Sequence, residues 1–237
     1  QPLPRAQIER HPRPAPIVDM RLDRDKGFGG ARTPEFVDIA GHRPAFDRAR
    51  RILPDDGILG EEGGDDSNGK PVIWVLDPID GTACFVNGMF SWCISIAVVV
   101  DGVPSIGVVF DPNANELFHA VLGGAAYVND KPIHVKEVAD FKGGVLGVGF
   151  SHRSHLDEFT PFLHTLLSSG GMFIRNGSGA LMLCYVAAGR LIGYYEPHIN
   201  SWDCLAAIVI VEAAGGRCNN FLANDGLTRG NPILAAG

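Results

Sequence analysis

The stretch Pro71-Val-Ile-Trp-Val-Leu-Asp-Pro-Ile-Asp-Gly-Thr82 organises the rest of the chain. Its first six residues form a compact apolar run with β-branched side chains. This pattern predicts a buried strand that delivers Asp77 at its carboxyl end. We expect Pro78 and Gly81 to end that strand, because proline lacks the backbone donor that a sheet requires and glycine favours turns.

A second acidic group, Gly60-Glu61-Glu62, lies a short polar loop upstream, so that Glu61, Asp77 and Asp80 can converge on one spot. Two unit charges about 4 Å apart repel by roughly 4 kcal/mol at an effective dielectric constant near 20. Such a cluster therefore needs protons or cations. Oxygen ligands suit Mg²⁺ or Mn²⁺, and the motif contains no His or Cys that would favour zinc. A solvated acidic turn is the alternative for an isolated Glu-Glu pair.

A third element, Trp202-Asp203, lies far downstream. Together, G-E-E, D-P-I-D-G-T and W-D resemble the Mg²⁺-dependent, lithium-sensitive phosphatase family typified by inositol monophosphatase. The resemblance covers residues from about 57 to the end of the chain. It implies an α+β fold, a layered αβαβα sandwich of the inositol monophosphatase / fructose-1,6-bisphosphatase type. It also implies hydrolysis of a phosphate monoester by metal-activated water, inhibition by lithium, and a homodimer.

The resemblance assigns roles to individual residues. It implies two or three metal ions, with ligands from the carboxylates of Glu61, Asp77, Asp80 and Asp203 and the backbone carbonyl of Ile79. Glu61, Thr82 and Asp80 would be catalytic, with Glu61 and Thr82 positioning the attacking water. The substrate would contact Gly81, Thr82, Ser178, Gly179, Glu196 and Asp203. Gly81 and Thr82 would offer backbone N–H groups to the phosphate at the start of a helix.

Several of these residues also have ordinary structural explanations. Asp203 begins a long apolar helix, where an aspartate commonly serves as the N-cap. The segment 176–180 would be an unremarkable glycine-rich cap if it stood alone, and Glu196 is a single acidic residue seven positions before Asp203. The histidines show no metal-like spacing, so that His198 is expected to have a structural or surface role.

The chain departs from the family pattern near its start. Relatives usually carry a V-T-x-A-D segment whose aspartate orients the catalytic threonine, whereas this chain has Val37-Asp38-Ile39-Ala40-Gly41. Gly41 stands where the aspartate is expected, and Asp38 is the candidate replacement. The glycine-rich segment 19–30 resembles a flexible loop that helps to bind an additional metal in relatives, with Asp25 or Lys26 as candidates. The sequence itself favours a plain solvated loop here.

The substrate is less well defined than the family. Inositol monophosphate is the first prediction, and the alternatives are histidinol phosphate, fructose 1,6-bisphosphate and a phosphoadenosine nucleotide. A haloacid-dehalogenase type phosphatase is disfavoured, because its motif has one residue between two aspartates and this chain has Pro78 and Ile79. A further alternative is a metal-binding scaffold with weak or no turnover, which the departure at Gly41 favours.

Composition limits the remaining classes. The 237 residues are 46% hydrophobic, enough for one substantial core or two coupled ones. Residues 1–51 hold 11 Lys and Arg against 7 Asp and Glu, whereas residues 52–237 hold 9 against 20. No nucleic-acid partner is expected, because the acidic body lacks a basic face. No apolar run is long enough to span a membrane and no signal peptide is recognisable. Five cysteines without a C-x-x-C pair favour reduced core residues and a cytoplasmic location.

The order of patterns predicts alternating layers of helices and sheets. We expect a 1–30 extended arm and mobile loop, a 31–140 α+β metal-binding domain, and a 141–237 α/β domain that completes the active site. Asp101-Gly102 predicts a hairpin between strands 92–100 and 103–110. The other predicted strands are 116–121, 126–128, 145–150, 191–195 and 217–221, and the predicted helices are 44–53, 156–167, 178–188 and 203–214.

Overall fold

The computed structural model describes residues 49–61, 64–151 and 153–237. Within these residues eight strands form one mixed sheet, in the spatial order β2-β1-β3-β4-β5-β6-β7-β8. Strands β1 and β3 are parallel, and the other neighbours in this sheet are antiparallel. The strands are β1 (Gly57–Gly60), β2 (Gly64–Asp65), β3 (Val72–Asp80), β4 (Cys93–Val100), β5 (Val103–Asp111), β6 (Glu116–Val121), β7 (Ala126–Val128) and β8 (Lys131–Ile133).

A second sheet has five strands in the order β10-β9-β11-β13-β12. Strands β10, β9 and β11 are parallel, whereas β13 runs antiparallel to β11 and β12. The parallel part reflects the helical crossovers of the second half of the chain. The strands are β9 (Val145–Val148), β10 (Met172–Ile174), β11 (Gly193–Ile199), β12 (Arg217–Cys218) and β13 (Asn231–Ala236).

The helices pack between and beside the sheets. They are α1 (Thr82–Val86), α2 (Leu156–Ser168), α3 (Gly179–Ala187), α4 (Ser201–Ala213) and α5 (Gly226–Arg229), with 3-10 turns at Phe141–Gly143 and Ala223–Asp225. Residues 49–52 are also helical. Helices α3 and α4 pack against each other, and α4 contacts strands of both sheets. The α3–α4 pair is therefore the layer that joins the two sheets.

Burial follows from how apolar each element is. Helix α4 has buried side chains on all sides, as expected for a helix enclosed between two sheets. Gly107 allows β5 and α4 to pack closely against each other, because a Cβ at that position would overlap the backbone carbonyl of Ala206 in α4. In β9, Leu146 packs with Phe159 of α2 while Gly147 faces the other side. The result is a sheet, a helix pair, a second sheet and a helix, which confirms the predicted layered α+β sandwich.

Most of the predicted elements are present with shifted ends. The predicted hairpin is confirmed, with Asp101 and Gly102 at φ 49° and 79° in its turn. The prediction that Pro78 helps to end this strand was wrong, because β3 continues through Pro78, but β3 does end at Asp80, directly before Gly81. Asp203 is not the N-cap of its helix: Asn200 caps α4, and Asp203 occupies the third helical position. Strands β2, β8, β10 and β13 were not predicted.

Some predictions fall outside the described residues. These are the arm and loop of residues 1–30, the Val37 to Gly41 segment, and residues 44–48 of the first predicted helix. The division of the body near residue 140 stays a prediction. All five cysteines are free, and four of them are buried, in agreement with their expected place in the core. No helix in the described part of the chain is long and apolar enough to cross a membrane.

Candidate metal centre and active site

Three carboxylates meet at one end of the first sheet. One oxygen from each of Glu61, Asp77 and Asp203 lies within 4.8 Å of the others. The first two meet because β1 and β3 are parallel and Gly60 pairs with Leu76, which places the next residue of each strand side by side. Asp203 approaches from the first turn of α4. The sequence predicted that Glu61, Asp77 and Asp80 converge, and the resemblance added Asp203 as a ligand. The structure groups Glu61, Asp77 and Asp203, and Asp80 is not part of this group.

The environment of Asp77 fits a cation. Its Oδ1 accepts a hydrogen bond of 2.9 Å from the backbone N–H of Ile79, whereas its Oδ2 is buried and has no hydrogen-bond partner. The residue is only 2% exposed. Burial raises the pKa of Asp77 well above its usual range, and the charges of Asp80 and Asp203 raise it further. A buried oxygen without a partner costs free energy, which a bound cation would recover.

A bulge in β3 turns Asp80 towards the pocket that these carboxylates line. Asp77 lies opposite Ser95 of β4 and Asp80 lies opposite Cys93, so that three steps along β3 match two steps along β4. In a regular strand, residues three apart point to opposite faces. The extra residue reverses that alternation and turns Asp80 to the face of Asp77. The D-P-I-D spacing therefore requires an irregular strand.

Asp80 also holds the start of α3. Its Oδ2 accepts hydrogen bonds from Ser178 Oγ at 2.5 Å and from the backbone N–H of Ala180 at 2.8 Å. Burial raises its pKa to about 7, and the charge of Asp203 acts in the same direction, while the bonds from Ser178 and Ala180 lower it. Since Oδ2 is used by the helix, Oδ1 is the atom that a cation would contact. Its predicted role as a ligand stays a prediction.

Asp203 combines capping with its place in the cluster. Its Oδ2 accepts from the backbone N–H of Asn200 at 3.3 Å and from Asn200 Nδ2 at 3.1 Å. Asn200 caps the backbone of α4 in return, which makes a reciprocal capping box. Burial raises the pKa of Asp203 to about 6, and the charge of Glu61 adds to the shift. The N-cap role that the sequence suggested for Asp203 is thus replaced by the third position of the capping box, and its role as a metal ligand stays a prediction.

The residues after β3 are held in a tight turn. Thr82 Oγ1 donates a hydrogen bond of 3.0 Å to the carbonyl oxygen of Ile79. Gly81 has φ 95°, a left-handed conformation that favours glycine, and a Cβ there would lie 2.7 Å from the carbonyl oxygen of Ser91. Helix α1 does begin at Thr82 as predicted, but it has five residues.

Glu196 lies on β11 of the second sheet, where it is buried. Its Oε2 accepts a hydrogen bond of 2.6 Å from the hydroxyl of Tyr194. Burial raises the pKa of Glu196 to about 7, the Tyr194 bond lowers it, and the charge of Asp80 raises it. A Cβ at Gly149 would overlap both Oε2 and the Tyr194 hydroxyl, so that glycine is needed there. The carboxylate is therefore fixed in direction.

These groups surround a pocket of about 340 Å³. Eight of the predicted site residues line it, namely Glu61, Asp77, Asp80, Gly81, Thr82, Gly179, Glu196 and Asp203. Ser178 lies behind Asp80 and lines an adjoining cavity of about 40 Å³. Ile79 lines neither cavity, but its backbone groups bond to Asp77 and Thr82.

The pocket also contains residues outside the predicted set of site residues, of which only Gly177 belongs to the segment 176–180 that the sequence pointed to. They are Ala83, Phe150, Ser151, Arg153, Arg175, Gly177, His198, Ile199 and Asn200. His198 and Ile199 follow Glu196 on β11, whose pairing with β13 is also irregular, and Asn200 is the N-cap of α4. The two arginines gave no signal in the sequence, because they are isolated residues on different segments.

The layered α+β fold, with a cluster of three carboxylates in its main pocket, defines the class of protein. The family model described as the inositol monophosphatase family matches residues 36–233, and the chain belongs to this family. The resemblance inferred from the motifs is thereby confirmed. The family is of phosphatase type, and the acidic cluster is consistent with its metal dependence.

Individual relatives agree with this assignment. The chain is 40% identical over 191 residues to the protein named Nus factor SuhB of Xylella fastidiosa. The aligned region covers 80% of this chain and 69% of that relative. It is 33% identical to an inositol monophosphatase from Anabaena, with a TM-score of 0.73 and coverage of 84% and 80%. The chain is 31% identical to the inositol monophosphate-bound SaIMPase-II of Staphylococcus aureus, with a TM-score of 0.74. The alignment covers 85% of this chain and 79% of that structure.

Proposed function

We propose that this protein is a Mg²⁺-dependent phosphomonoesterase that hydrolyses a small phosphorylated polyol or metabolite. The observation that carries the proposal is the buried, unpartnered Oδ2 of Asp77, which lies in a cluster with oxygens of Glu61 and Asp203. Such a cluster is poorly suited to hold its negative charge without a cation. Its oxygen ligands suit Mg²⁺, and Mn²⁺ has the same preference. Two or three ions remain the expected number.

The residues around the cluster suit binding of a divalent ion. Glu61, Asp77 and Asp203 would hold one or more ions, with Asp80 contributing through Oδ1 and Ile79 through its carbonyl oxygen. When bound, the metal supplies a Lewis acid that offsets phosphate charge, activates water and stabilises the leaving alkoxide. The following steps concern what the side chains of the protein themselves do.

Thr82 and Glu61 would orient the attacking water. The Thr82 hydroxyl has one hydrogen, which it donates to the Ile79 carbonyl oxygen. Its lone pairs are therefore directed elsewhere and can accept a hydrogen bond from a water molecule. The carboxylate of Glu61 lines the same pocket and can accept the other water hydrogen. Two acceptors with fixed positions would align the water oxygen for attack, which lowers the entropic part of the barrier.

Glu196 would bind the polyol part of the substrate. The bond from Tyr194 fixes one of its oxygens, and a carboxylate can accept further hydrogen bonds from hydroxyl groups. The phosphate would lie over the backbone N–H groups of Gly81 and Thr82. Ser178 and Gly179 would shape the wall between these two regions. Attack by water in this arrangement leaves no phosphoenzyme.

The identity of the substrate is the next part of the proposal. One solved relative, SaIMPase-II, is described with inositol monophosphate bound and also with 2′AMP bound. Inositol monophosphate is therefore a first candidate for this chain, and an adenosine phosphate is a second. Histidinol phosphate and fructose 1,6-bisphosphate complete the panel. Lithium inhibition belongs to the same proposal.

Phosphate release tests the proposal directly. The panel of esters is incubated with the protein and Mg²⁺, and then with excess EDTA. We expect release that EDTA abolishes and that added Mg²⁺ restores. If none of the esters is hydrolysed although Mg²⁺ binds, the metal-binding scaffold replaces the enzyme as the better explanation. A trapped aspartyl phosphate would instead indicate the covalent haloacid-dehalogenase mechanism.

The relatives named Nus factor SuhB suggest a second candidate function. The identity of 40% over 80% of the chain supports a similar role for this protein, with or without turnover. A strain that lacks its own SuhB can separate the two roles. Rescue by a turnover-deficient variant would favour the role as a Nus factor, whereas loss of rescue would favour the enzyme. The absence of a nucleic-acid partner and the cytoplasmic location stay predictions.

A homodimer is also part of the proposal, and β10 offers a surface for it. This strand lies at the edge of the second sheet, and the side chains of Met172, Phe173 and Ile174 are all exposed. An exposed apolar edge strand is prone to pair with another chain unless it is covered. A second copy that covers β10 would remove this apolar surface from water.

A further inference from the structure

Two guanidinium groups line the same pocket as the carboxylates. They belong to Arg153 and Arg175, and no other Lys or Arg of the described chain lines it. The proposed cations offset the charge of the acidic cluster and of one phosphate. The charge of Arg175 lowers the pKa of Glu196, but an uncharged polyol attached to that phosphate gives the two guanidiniums no anionic group of the substrate to bind.

The fold places both arginines through neighbouring strand ends. Strands β9 and β10 are parallel neighbours, so that the segments following their carboxyl ends lie side by side. Arg175 follows β10, and its Nη2 donates a hydrogen bond of 3.1 Å to the carbonyl oxygen of Phe150, which follows β9. This bond holds one edge of the Arg175 guanidinium against the pocket wall.

Arg153 is placed by a turn at the end of β9. Its backbone N–H donates to Ser151 Oγ at 3.3 Å, and the same hydroxyl lies 3.4 Å from the carbonyl oxygen of His198 on β11. The turn is thus tied to the strand that carries Glu196. The two arginines therefore come from two segments that the second sheet brings to one side of the pocket.

Both guanidiniums keep most of their donors for a ligand. Arginine has five N–H groups, and the bond to Phe150 uses one of those of Arg175. Within the part of the chain that the structure describes, neither arginine forms an ion pair, whereas Arg190 is paired with Glu116. Both side chains are exposed to the pocket solvent. The planar fork of a guanidinium matches the oxygens of a phosphate group.

We propose that Arg153 and Arg175 bind a second phosphate group of the substrate. The preferred substrate is then a polyol or nucleoside that carries two phosphates, one over the carboxylate cluster and one at the arginines. The pocket volume of about 340 Å³ lies within the usual range for small-molecule sites. This inference rests on the proposed phosphatase function and narrows its substrate class. A monophosphate would be hydrolysed less efficiently.

Matched substrates and variants test the inference. The value of kcat/KM is measured with Mg²⁺ for fructose 1,6-bisphosphate against fructose 1-phosphate, and for inositol 1,4-bisphosphate against inositol 1-phosphate. We expect a preference for the bisphosphate of at least about tenfold in one pair. Arg153→Gln and Arg175→Gln should each lower kcat/KM for that bisphosphate by about tenfold or more, chiefly through KM, because each loses a charge-assisted bond. For the monophosphate the change should stay within about twofold.

Arg217→Gln is the control, because it removes the same charge from an exposed position that does not line the pocket. Equal losses for both members of a pair would overturn the inference, since the arginines would then only attract anions in general. Absence of any bisphosphate preference would overturn it as well.

A binding measurement separates this inference from the proposed function. Fructose 1,6-bisphosphate and inositol 1,4-bisphosphate are each titrated calorimetrically into the wild-type protein and the arginine variants with Mg²⁺ present. If no ester is hydrolysed, the phosphatase proposal fails. Binding of a bisphosphate that weakens about tenfold in Arg153→Gln and Arg175→Gln, but not in Arg217→Gln, would still support the second phosphate site. Binding that is absent or unchanged in the variants would overturn it.

Discussion

The hydroxyl of Ser178 donates a hydrogen bond of 2.5 Å to Oδ2 of Asp80, although the two residues lie 98 positions apart in the chain. Asp80 belongs to the first sheet, and Ser178 caps α3, which packs next to the second sheet. The carboxylate of Asp80 thus links the first sheet to the start of α3 through hydrogen bonds. The geometry of the acidic cluster depends on their correct docking.

Ser178→Ala should therefore lower both stability and turnover. The variant loses the cap of α3 and one of the bonds to Asp80, and loss of a serine N-cap costs about 0.5–2 kcal/mol. The free energy of unfolding and kcat are measured together. Ser105→Ala is the matched control, because the Ser105 hydroxyl is also buried but bonds locally to the Val103 carbonyl oxygen. If the control lost as much turnover, the link through Asp80 would not be the reason.

Asp77→Asn should abolish metal-dependent turnover while the fold is retained. The amide keeps an acceptor for the Ile79 N–H but removes the charge that a cation requires. Phosphate release and calorimetric Mg²⁺ binding are the measurements. Asp111→Asn provides the control, since Asp111 is a buried aspartate that accepts backbone bonds from Asn113 and Ala114 outside the pocket. Near-normal turnover in Asp77→Asn would contradict the metal site.

Substitutions at two glycines with similar backbone conformations can distinguish the cost of backbone strain from the cost of steric overlap. Gly81 and Gly88 have φ values of 95° and 70°, but only at Gly81 would a Cβ meet another atom, the Ser91 carbonyl oxygen at 2.7 Å. Gly88→Ala should cost about 1–2 kcal/mol from the left-handed conformation alone. Gly81→Ala should cost more and should displace Thr82, with a large loss of kcat. Chemical denaturation and phosphate release check both effects, and equal costs would argue against the overlap.

Glu196→Gln should change the pH dependence of stability in the metal-free protein. The pKa of Glu196 is about 7 in the folded state against 4.5 for an ordinary glutamate, so that the folded state binds the proton more tightly. The wild-type residue therefore destabilises the fold progressively as the pH rises from about 4.5 to about 7. Over this range, the stability of Glu196→Gln relative to wild type should rise by on the order of 3 kcal/mol.

Unfolding by urea in EDTA across this pH range measures the effect. Tyr194→Phe serves as a comparison, because the Tyr194 bond lowers the pKa of Glu196. Its loss should move the decline in stability to higher pH. A constant difference between Glu196→Gln and wild type at all pH values would show that the carboxyl is not perturbed by burial.

Phe173→Lys should disrupt the proposed homodimer. Phe173 is 40% exposed on the edge strand β10, and a charge at a covered apolar position opposes association. Light scattering coupled to gel filtration would show a shift from dimer to monomer. Leu122→Lys is the control, since Leu122 is an exposed leucine that follows β6 in the other sheet. A dimer that persists in Phe173→Lys would place the interface elsewhere.

The sequence was sufficient for much of the fold because its strongest patterns are local. Strong apolar runs and the Asp101-Gly102 turn predicted the central hairpin. The apolar segment after Trp202 predicted α4. Strands β2 and β8 are too short to carry a pattern, and β13 is an edge-adjacent strand with proline in it. Their pairing depends on tertiary contacts that no local pattern encodes.

Only the site residues that belong to short sequence motifs could be predicted. Glu61, Asp77 and Asp203 were identified from short motifs and do meet in the structure. The sequence could not show that one carboxylate oxygen of Asp80 accepts hydrogen bonds from Ser178 and Ala180 at the start of α3, because these residues lie far from Asp80 in the chain. Arg153 and Arg175 were missed for the same reason, since the parallel strands β9 and β10 bring them to the pocket.

The bulge in β3 makes the orientation of Asp80 depend on the length of β4. Asp80 lines the pocket on the same face as Asp77 because β3 has one residue more than β4 between two paired positions. One residue inserted into β4 near Ile94 would remove that mismatch and allow regular pairing, which would turn Asp80 towards the opposite face. A related protein with such an insertion could therefore keep all residues of the motif from Asp77 to Thr82 and still lose catalytic activity. The inactivating change would lie in β4, which contributes no side chain to the acidic cluster.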